Sequence, residues 1–278
     1  SFNGTSGISG GTFTNQPDYL VRTTGTDTIQ SIPFLFSDIT NSRLGIGTTT
    51  PGAPLEVSGR VYQTGLGNST LFGYQAGLND DLTNNYNSIF GYQVGLANTT
   101  GYNTTGTGNV AIGWRTSFRN ITGHYNVAMG YRPLYNNQSG NYNVALGREA
   151  LNNTAQSYNI AIGGLSQYTN LTGPHNIAIG YQSLRLNNTG AGNVAVGSYA
   201  LSNSTAAGNT GIGYRSLNLN TTGTGNTATG YYSLRSNTIG IDNTATGIQS
   251  LTSNTTGKEN TSTGYQALFS NTTGRDNT

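Results

Sequence analysis

The pattern Asn-x-x-x-Gly returns along this chain at a nearly fixed interval, and that interval limits what the chain can fold into. Residues 226–230 read NTATG, 243–247 read NTATG again and 260–264 read NTSTG. The pattern opens at Asn87, Asn109, Asn126, Asn143, Asn159, Asn176, Asn193, Asn209, Asn226, Asn243 and Asn260, with Ser69 in place of Asn in the first copy. From Asn109 on, every spacing is 16 or 17 residues, and the twelve copies close on glycines from Gly73 to Gly264. So short a unit cannot bury a face alone, but it can do so stacked on its neighbours.

Each unit has three parts. The first, as in NVAIG at 109–113, alternates β-branched residues with Ala and predicts a short strand. The second, as in YQSL at 181–184, predicts another short strand. The third is an Asn/Thr/Gly turn such as NTTGTG at 220–225, where Gly and Asn supply positive φ. About twelve coils at ~4.8 Å per rung make a rod of roughly 58 Å. Like residues then form columns. Val110, Val127, Val144, Ile160, Ile177 and Val194 make one. Ile112, Met129, Leu146, Ile162, Ile179 and Val196 make the next. Leu134, Leu184, Leu217 and Leu251 belong to a third, and Tyr131, Tyr181, Tyr214, Tyr231 and Tyr265, with Trp114 at the same place, to an aromatic one. The Asn column is expected to bond along the axis.

Composition narrows the class. Only 33% of the 278 residues are hydrophobic and 8% charged, far from an ordinary two-layer domain. Disorder is countered by 18 Tyr, 8 Phe and a net charge of only +2. That net charge gives no footprint for nucleic acid. No apolar run approaches a membrane span, and the absence of Cys excludes disulfides and thiolate metal sites. The chain opens on Ser1 and stops on Asn277-Thr278, the start of another copy, so it is expected to be processed or to be part of a longer chain.

The expected division is an extended, Gly/Thr-rich lead-in at 1–32, a cap or connector with short strands at 33–66, and the repeat domain at 67–278, cut short at its carboxyl end. SIPFLFSDI at 31–39 and LGIGTTTPGAPLEVSGRV at 44–61 supply the connector strands, the second as strand, Pro/Gly turn and strand.

NVAIG and NIAIG resemble the repeat of trimeric autotransporter adhesin heads. LGIGTTTPGAPLEVSG followed by the repeats resembles phage tail-fibre and related extracellular fibre proteins. The resemblance spans about residues 44–278. It implies a left-handed parallel β-roll, three chains around one axis, and a passive surface fibre. The 17-residue unit is longer than the usual adhesin-head coil. The self-trimming chaperone domain that ends many such fibres is absent, so none of its chemistry carries over. Independently of the resemblance, three chains sharing a core would cover the Leu or Ala columns that one chain would leave wet.

Candidate chemistry is sparse. His124 and His175 stand three repeat lengths apart, one two places and the other one place before its Asn, and are read as surface turn residues. Asp242, Glu259 and Asp276 share one column, with Lys258 and Arg275 beside it, and are read as a charge-paired edge rather than a cation site. The late copies place Thr227 and Thr229, Thr244 and Thr246, Thr261 and Thr263 where Val and Ile stand earlier. Such T-x-T rungs suit an ice-binding face if they point outward. An inward column with hydroxyls bonded between rungs is expected instead. Asn-x-Ser/Thr recurs nearly once per coil. Asn98, Asn120, Asn137, Asn170, Asn187, Asn220, Asn254 and Asn271 are candidate glycan acceptors, although Asn and Thr are also plain turn formers. The Tyr column is read as core or seam, with a sugar-binding stripe as the other reading.

The expectation is therefore an all-β, parallel β-solenoid forming a homotrimeric fibre at an extracellular or virion surface, with no catalysis, metal or cofactor. Its structural ladder is Asn109, Asn126, Asn143, Asn159, Asn176, Asn193, Asn209, Asn226, Asn243 and Asn260. Its partners are its own copies and a host-surface or cell-surface receptor, glycans included, without nucleic acid or membrane insertion. An ice-binding or surface-coating solenoid is the alternative.

Overall fold

The computed structural model describes residues 69–77, 86–95 and 106–278 in full and, upstream, the backbone of four strands. The chain divides into two units, Ser1–Gln63 and Thr64–Thr278. In the first, β1 (Tyr19–Thr24) and β2 (Thr28–Asp38) pair antiparallel, β3 (Arg43–Ile46) pairs antiparallel with β2, and β4 (Leu55–Val57) lies parallel to β3. β1 lies inside 1–32, and β2 crosses the 32/33 boundary. YLVRTT and TIQSI are rich in residues that favour strands, and only three residues separate the two.

The second unit is a parallel β-solenoid, and its described residues contain no helix. Twelve parallel strands, from Thr70–Phe72 to Thr261–Thr263, form one sheet in strict chain order. From Asn109 to Asn277 the chain makes about ten continuous turns. The register is uniform. Ile160 lies beside Val144 on one side and Ile177 on the other, and Ala161 beside Ala145 and Ala178. A second, minor sheet pairs Asn153–Thr154 with Thr169–Asn170.

The core inverts the expected sidedness. In every copy from Val110 to Thr229 the residue two places after the ladder asparagine is buried and its two neighbours are less so. Ala128, Ala145, Ala161, Ala178, Ala195, Ala228 and Ala245 have no exposed surface. The Val/Ile columns, and with them the Thr-x-Thr rungs, therefore point outward. The interior opposite the strand is already filled by Leu134, Leu151, Leu184, Leu201, Leu217, Leu234 and Leu251, which are fully buried. Only a methyl group fits between the sheet and this Leu column. The Leu and Ala columns thus close within a single chain and need no partner to cover them.

The Leu-bearing segment is a turn, not the expected second strand. Gln182 and Leu184 both take left-handed backbone (φ 54° and 50°), as do Arg215 and Leu217 (55° and 49°). Two left-handed residues within three positions prevent an extended strand. They instead aim successive amides up and down the axis. The Gln182 N–H donates to the Gly164 carbonyl at 3.0 Å in the turn before, and Leu184 N–H to the Ala200 carbonyl at 2.9 Å in the turn after. Each left-handed L-residue costs roughly 1–2 kcal/mol. Full burial of the leucine, at about 1.5–3 kcal/mol, offsets that. The glycine between strand and turn is obligatory. Gly180 has φ +134°, and a β-carbon there would meet backbone of Gly197 at 2.6 Å.

Candidate functional site

Two polar ladders hold the corners. In the first, each asparagine amide oxygen accepts the backbone N–H of the next asparagine. Asn126 N donates to Asn109 Oδ1 and Asn143 N to Asn126 Oδ1, both at 2.9 Å. The same bond joins Asn159, Asn176, Asn193, Asn209, Asn226, Asn243 and Asn260 in turn. The amide nitrogens reach carbonyls of the following turn, as Asn109 Nδ2 does at Gly123 (2.9 Å) and Asn243 Nδ2 at Gly257 (2.8 Å). These side chains are buried and satisfied at both ends.

The second ladder lies eleven places later in each turn, and it holds the candidate glycan acceptors. Asn120, Asn137, Asn170, Asn187, Asn220 and Asn254 are buried, and Asn271 is half-buried. Within Asn-x-x-Gly, the Asn187 amide accepts the Gly190 N–H at 2.8 Å and donates to the Gly190 carbonyl at 2.7 Å. A glycan on such a nitrogen would have to displace the packing around these six buried asparagines, whose sequons serve here as corner turns. Asn98 lies outside the described residues. In the two 16-residue turns a hydroxyl takes this place. Thr154 and Ser204 accept the N–H two residues on, from Gln156 at 3.0 Å and Ala206 at 3.3 Å. The one-residue deletion and the loss of Asn thus have one cause, the shorter reach of the hydroxyl turn.

The outward strand face is where copies differ. It carries Phe90, Ile112, Met129, Leu146, Ile162, Ile179, Val196 and Ile212, then Thr229, Thr246 and Thr263. Met129 is 46% exposed, Ile179 37% and Ile212 40%. The Thr227, Thr229, Thr244, Thr246, Thr261 and Thr263 hydroxyls make no bond to protein, so the expected bonding between rungs is absent there. Thr221, Thr238 and Thr255, on another side, do donate to the next turn's carbonyl at 3.0 Å each.

Aromatic ladders flank this face on alternate sides. Tyr74, Tyr92, Trp114 and Tyr131 stack at 5.1, 6.5 and 4.6 Å. Tyr125, Tyr142, Tyr158 and His175 stack at 5.1, 5.2 and 5.0 Å on the other side. Sequence reasoning found the first column and missed the second. Its signal was present: the place before each ladder asparagine holds Tyr, His, Gly, Asp or Glu, and that place is left-handed from Tyr86 (φ 51°) to Asp276 (φ 55°).

The histidines are not brought together. His175 is exposed at the end of its stack, whereas half-buried His124 has Nδ1 3.0 Å from the Thr107 amide. Asp242, Glu259 and Asp276 do share a column, and Lys258 lies beside Arg275. Among the described residues no three His, Cys, Asp or Glu side chains are grouped to hold a metal ion. No described helix is long and apolar enough to cross a membrane. Tyr231 and Tyr232 are the pair whose acidity departs from the ordinary. Their mutual hydrogen bond, strongest of the causes, raises Tyr231 and lowers Tyr232, and Arg215 and Arg235 lower Tyr232 further. No protein-family model, curated protein or solved structure matches this chain.

Proposed function

We propose that this chain is a segment of a surface fibre, assembled from three copies around a common axis and serving reach and attachment at an extracellular or virion surface. In this reading it is a left-handed roll of about twelve coils without catalysis. The observation that carries it is the outward apolar strip from Phe90 to Ile212 on a chain whose own core is already closed. From strand spacings its eight rungs make a strip roughly 38 Å long and 10 Å wide, on the order of 400 Å². That is as large as the biggest apolar patch on a typical monomer, and such patches mark contact sites. A cyclic assembly covers the strip without leaving an open end that would propagate. Sedimentation equilibrium of the 29.1 kDa chain tests the reading. A mass three times that value is expected, falling to the single chain in Ile162→Asp/Ile179→Asp. A monomeric parent chain would end it.

A second reading keeps one observation of its own. The six outward threonines from Thr227 to Thr263 form a flat, regular array with unengaged hydroxyls, which suits ordered water at an ice surface. Thermal hysteresis of the chain, lost in Thr229→Tyr/Thr246→Tyr, would carry this reading over the fibre.

A further inference from the structure

The net charge of +2 conceals a strong segregation along the chain. Residues 1–105 hold three arginines against six carboxylates, and residues 242–278 hold Lys258 and Arg275 against three. Between them, residues 106–241 hold seven arginines and one carboxylate, Glu149. All seven occupy one arc of the solenoid, the fifth to tenth places after the ladder asparagine. Arg148 is at the fifth place, Arg115, Arg132 and Arg215 at the sixth, Arg185 and Arg235 at the ninth, and Arg119 at the tenth. The seventh and eighth places point inward, as Ser183 and Leu184 do, so the arginines take outward places only. The arc lies beyond the strand-ending glycine, clear of the apolar strip.

Four of the seven guanidinium groups lie over rings. Arg115 lies 4.5 Å over Trp114, Arg132 4.2 Å over Tyr135, Arg215 5.3 Å over both Tyr199 and Tyr214, and Arg235 5.0 Å over Tyr232. Glu149 approaches Arg132 at 3.7 Å and Arg148 at 3.8 Å. No other ion pair is found among the described arginines. The inner edges of Arg132, Arg185 and Arg235 are buried without a hydrogen-bond partner at Nε.

We infer that this arc is a binding stripe for a linear, sulfated or carboxylated polysaccharide lying along the rod. Charge complementarity is the first argument: an unneutralised positive row fits a polyanion. Geometry is the second. Arginines on turns one or two rungs apart repeat at roughly 5–10 Å, an interval over which a polysaccharide with an acid group on every sugar or every second sugar presents its charges. Ordered guanidinium forks meet sulfate or carboxylate in bidentate fashion, with little rotamer entropy left to lose. The rings decide against nucleic acid. Single strands bind by stacking bases on open aromatic faces, whereas Trp114, Tyr135, Tyr199, Tyr214 and Tyr232 each have a guanidinium group over the ring. What remains is ring edges and phenol hydroxyls, which suit sugar hydroxyls.

The stripe rests on the fibre reading only for the setting in which such a polymer is met. The test is calorimetric titration of the full chain with heparin, unsulfated dextran and a single-stranded DNA of matched charge. Heparin is expected to bind in a salt-sensitive manner and dextran not to bind. Arg185→Gln/Arg215→Gln/Arg235→Gln should weaken heparin about tenfold or more, while Lys258→Gln/Arg275→Gln, outside the arc, should leave it within about twofold. Glu149→Gln removes the one opposing charge without deleting an arginine and should tighten binding about twofold to threefold. Equal affinity in the triple variant, no response to Glu149→Gln, or DNA binding as tight as heparin through the same arginines overturns the inference. A monomer that binds heparin this way would end the trimer and leave the stripe standing. A trimer indifferent to heparin would do the reverse.

Discussion

The rungs around Ile162 and those around Thr246 share one backbone but present different faces. Both place a fully buried Ala at the strand centre, Ala161 and Ala245; across the interior the second turn holds Leu251, whereas the first holds the fully buried Gln167, which donates to Asn159 Oδ1 at 3.2 Å. Outward, the first carries Ile160 and Ile162 and the second Thr244 and Thr246. The inner strand place takes the same small residue in both because its space is shared with the rungs above and below. The exterior answers only to what meets it, so it is there that the chain changes along its length.

This contrast can be broken most severely from inside. Leu184→Ala and Leu234→Ala should each destabilise by about 2–5 kcal/mol, the same within error in both regions, measured by urea unfolding. Unequal losses would show that the outer faces also shape the core. Leu217→Ile keeps the volume but sets a β-branched residue at φ 49°, and should cost about 1–3 kcal/mol where an ordinary core would tolerate it. Asn193→Ala and Asn243→Ala leave the next asparagine's N–H without its acceptor, and should each cost about 1–3 kcal/mol.

Substitutions outside should sharpen the contrast. Ile162→Thr/Ile179→Thr and Thr229→Ile/Thr246→Ile should each shift chain stability by no more than about 0.5 kcal/mol per site, while moving association in opposite directions by sedimentation. The smallest effect concerns Tyr232. Its lowered pKa makes its anion favoured in the fold, a contribution fully present above the unfolded tyrosine value, lost as pH falls through the folded one and absent at neutral pH. Tyr231, being raised, contributes in the opposite sense and loses that contribution as alkali rises through its own folded value. The tyrosine pair should therefore add no pH dependence to melting between pH 6 and 8. In an ultraviolet titration the earliest phenol to ionise should disappear in Tyr232→Phe.

The signal for the true sidedness lay in the pentapeptide itself. Its second place varies from Val to Ile to Thr and its fourth from Met to Leu to Thr, whereas its third is Ala in eight of ten copies from Ala111 to Ser262. A place that tolerates only small residues is a tight interior, yet the hydrophobic scale pointed the other way. The hydroxyl turns at Thr154 and Ser204 were visible as 16-residue spacings, though their cause was not. The arginine arc was readable as an offset from the ladder asparagine, but the whole-chain charge averaged it away.

Periodicity alone required rungs in register, the asparagine corners and the glycine bends, because equal segments that cannot fold singly have only stacking available to them. Which side of each strand is core, whether the Leu segment is strand or turn, and which polar side chains are enclosed depended on the closed cross-section. Those choices turn on the few ångströms between the sheet and the leucine column, a distance set by every turn together and carried by no single repeat.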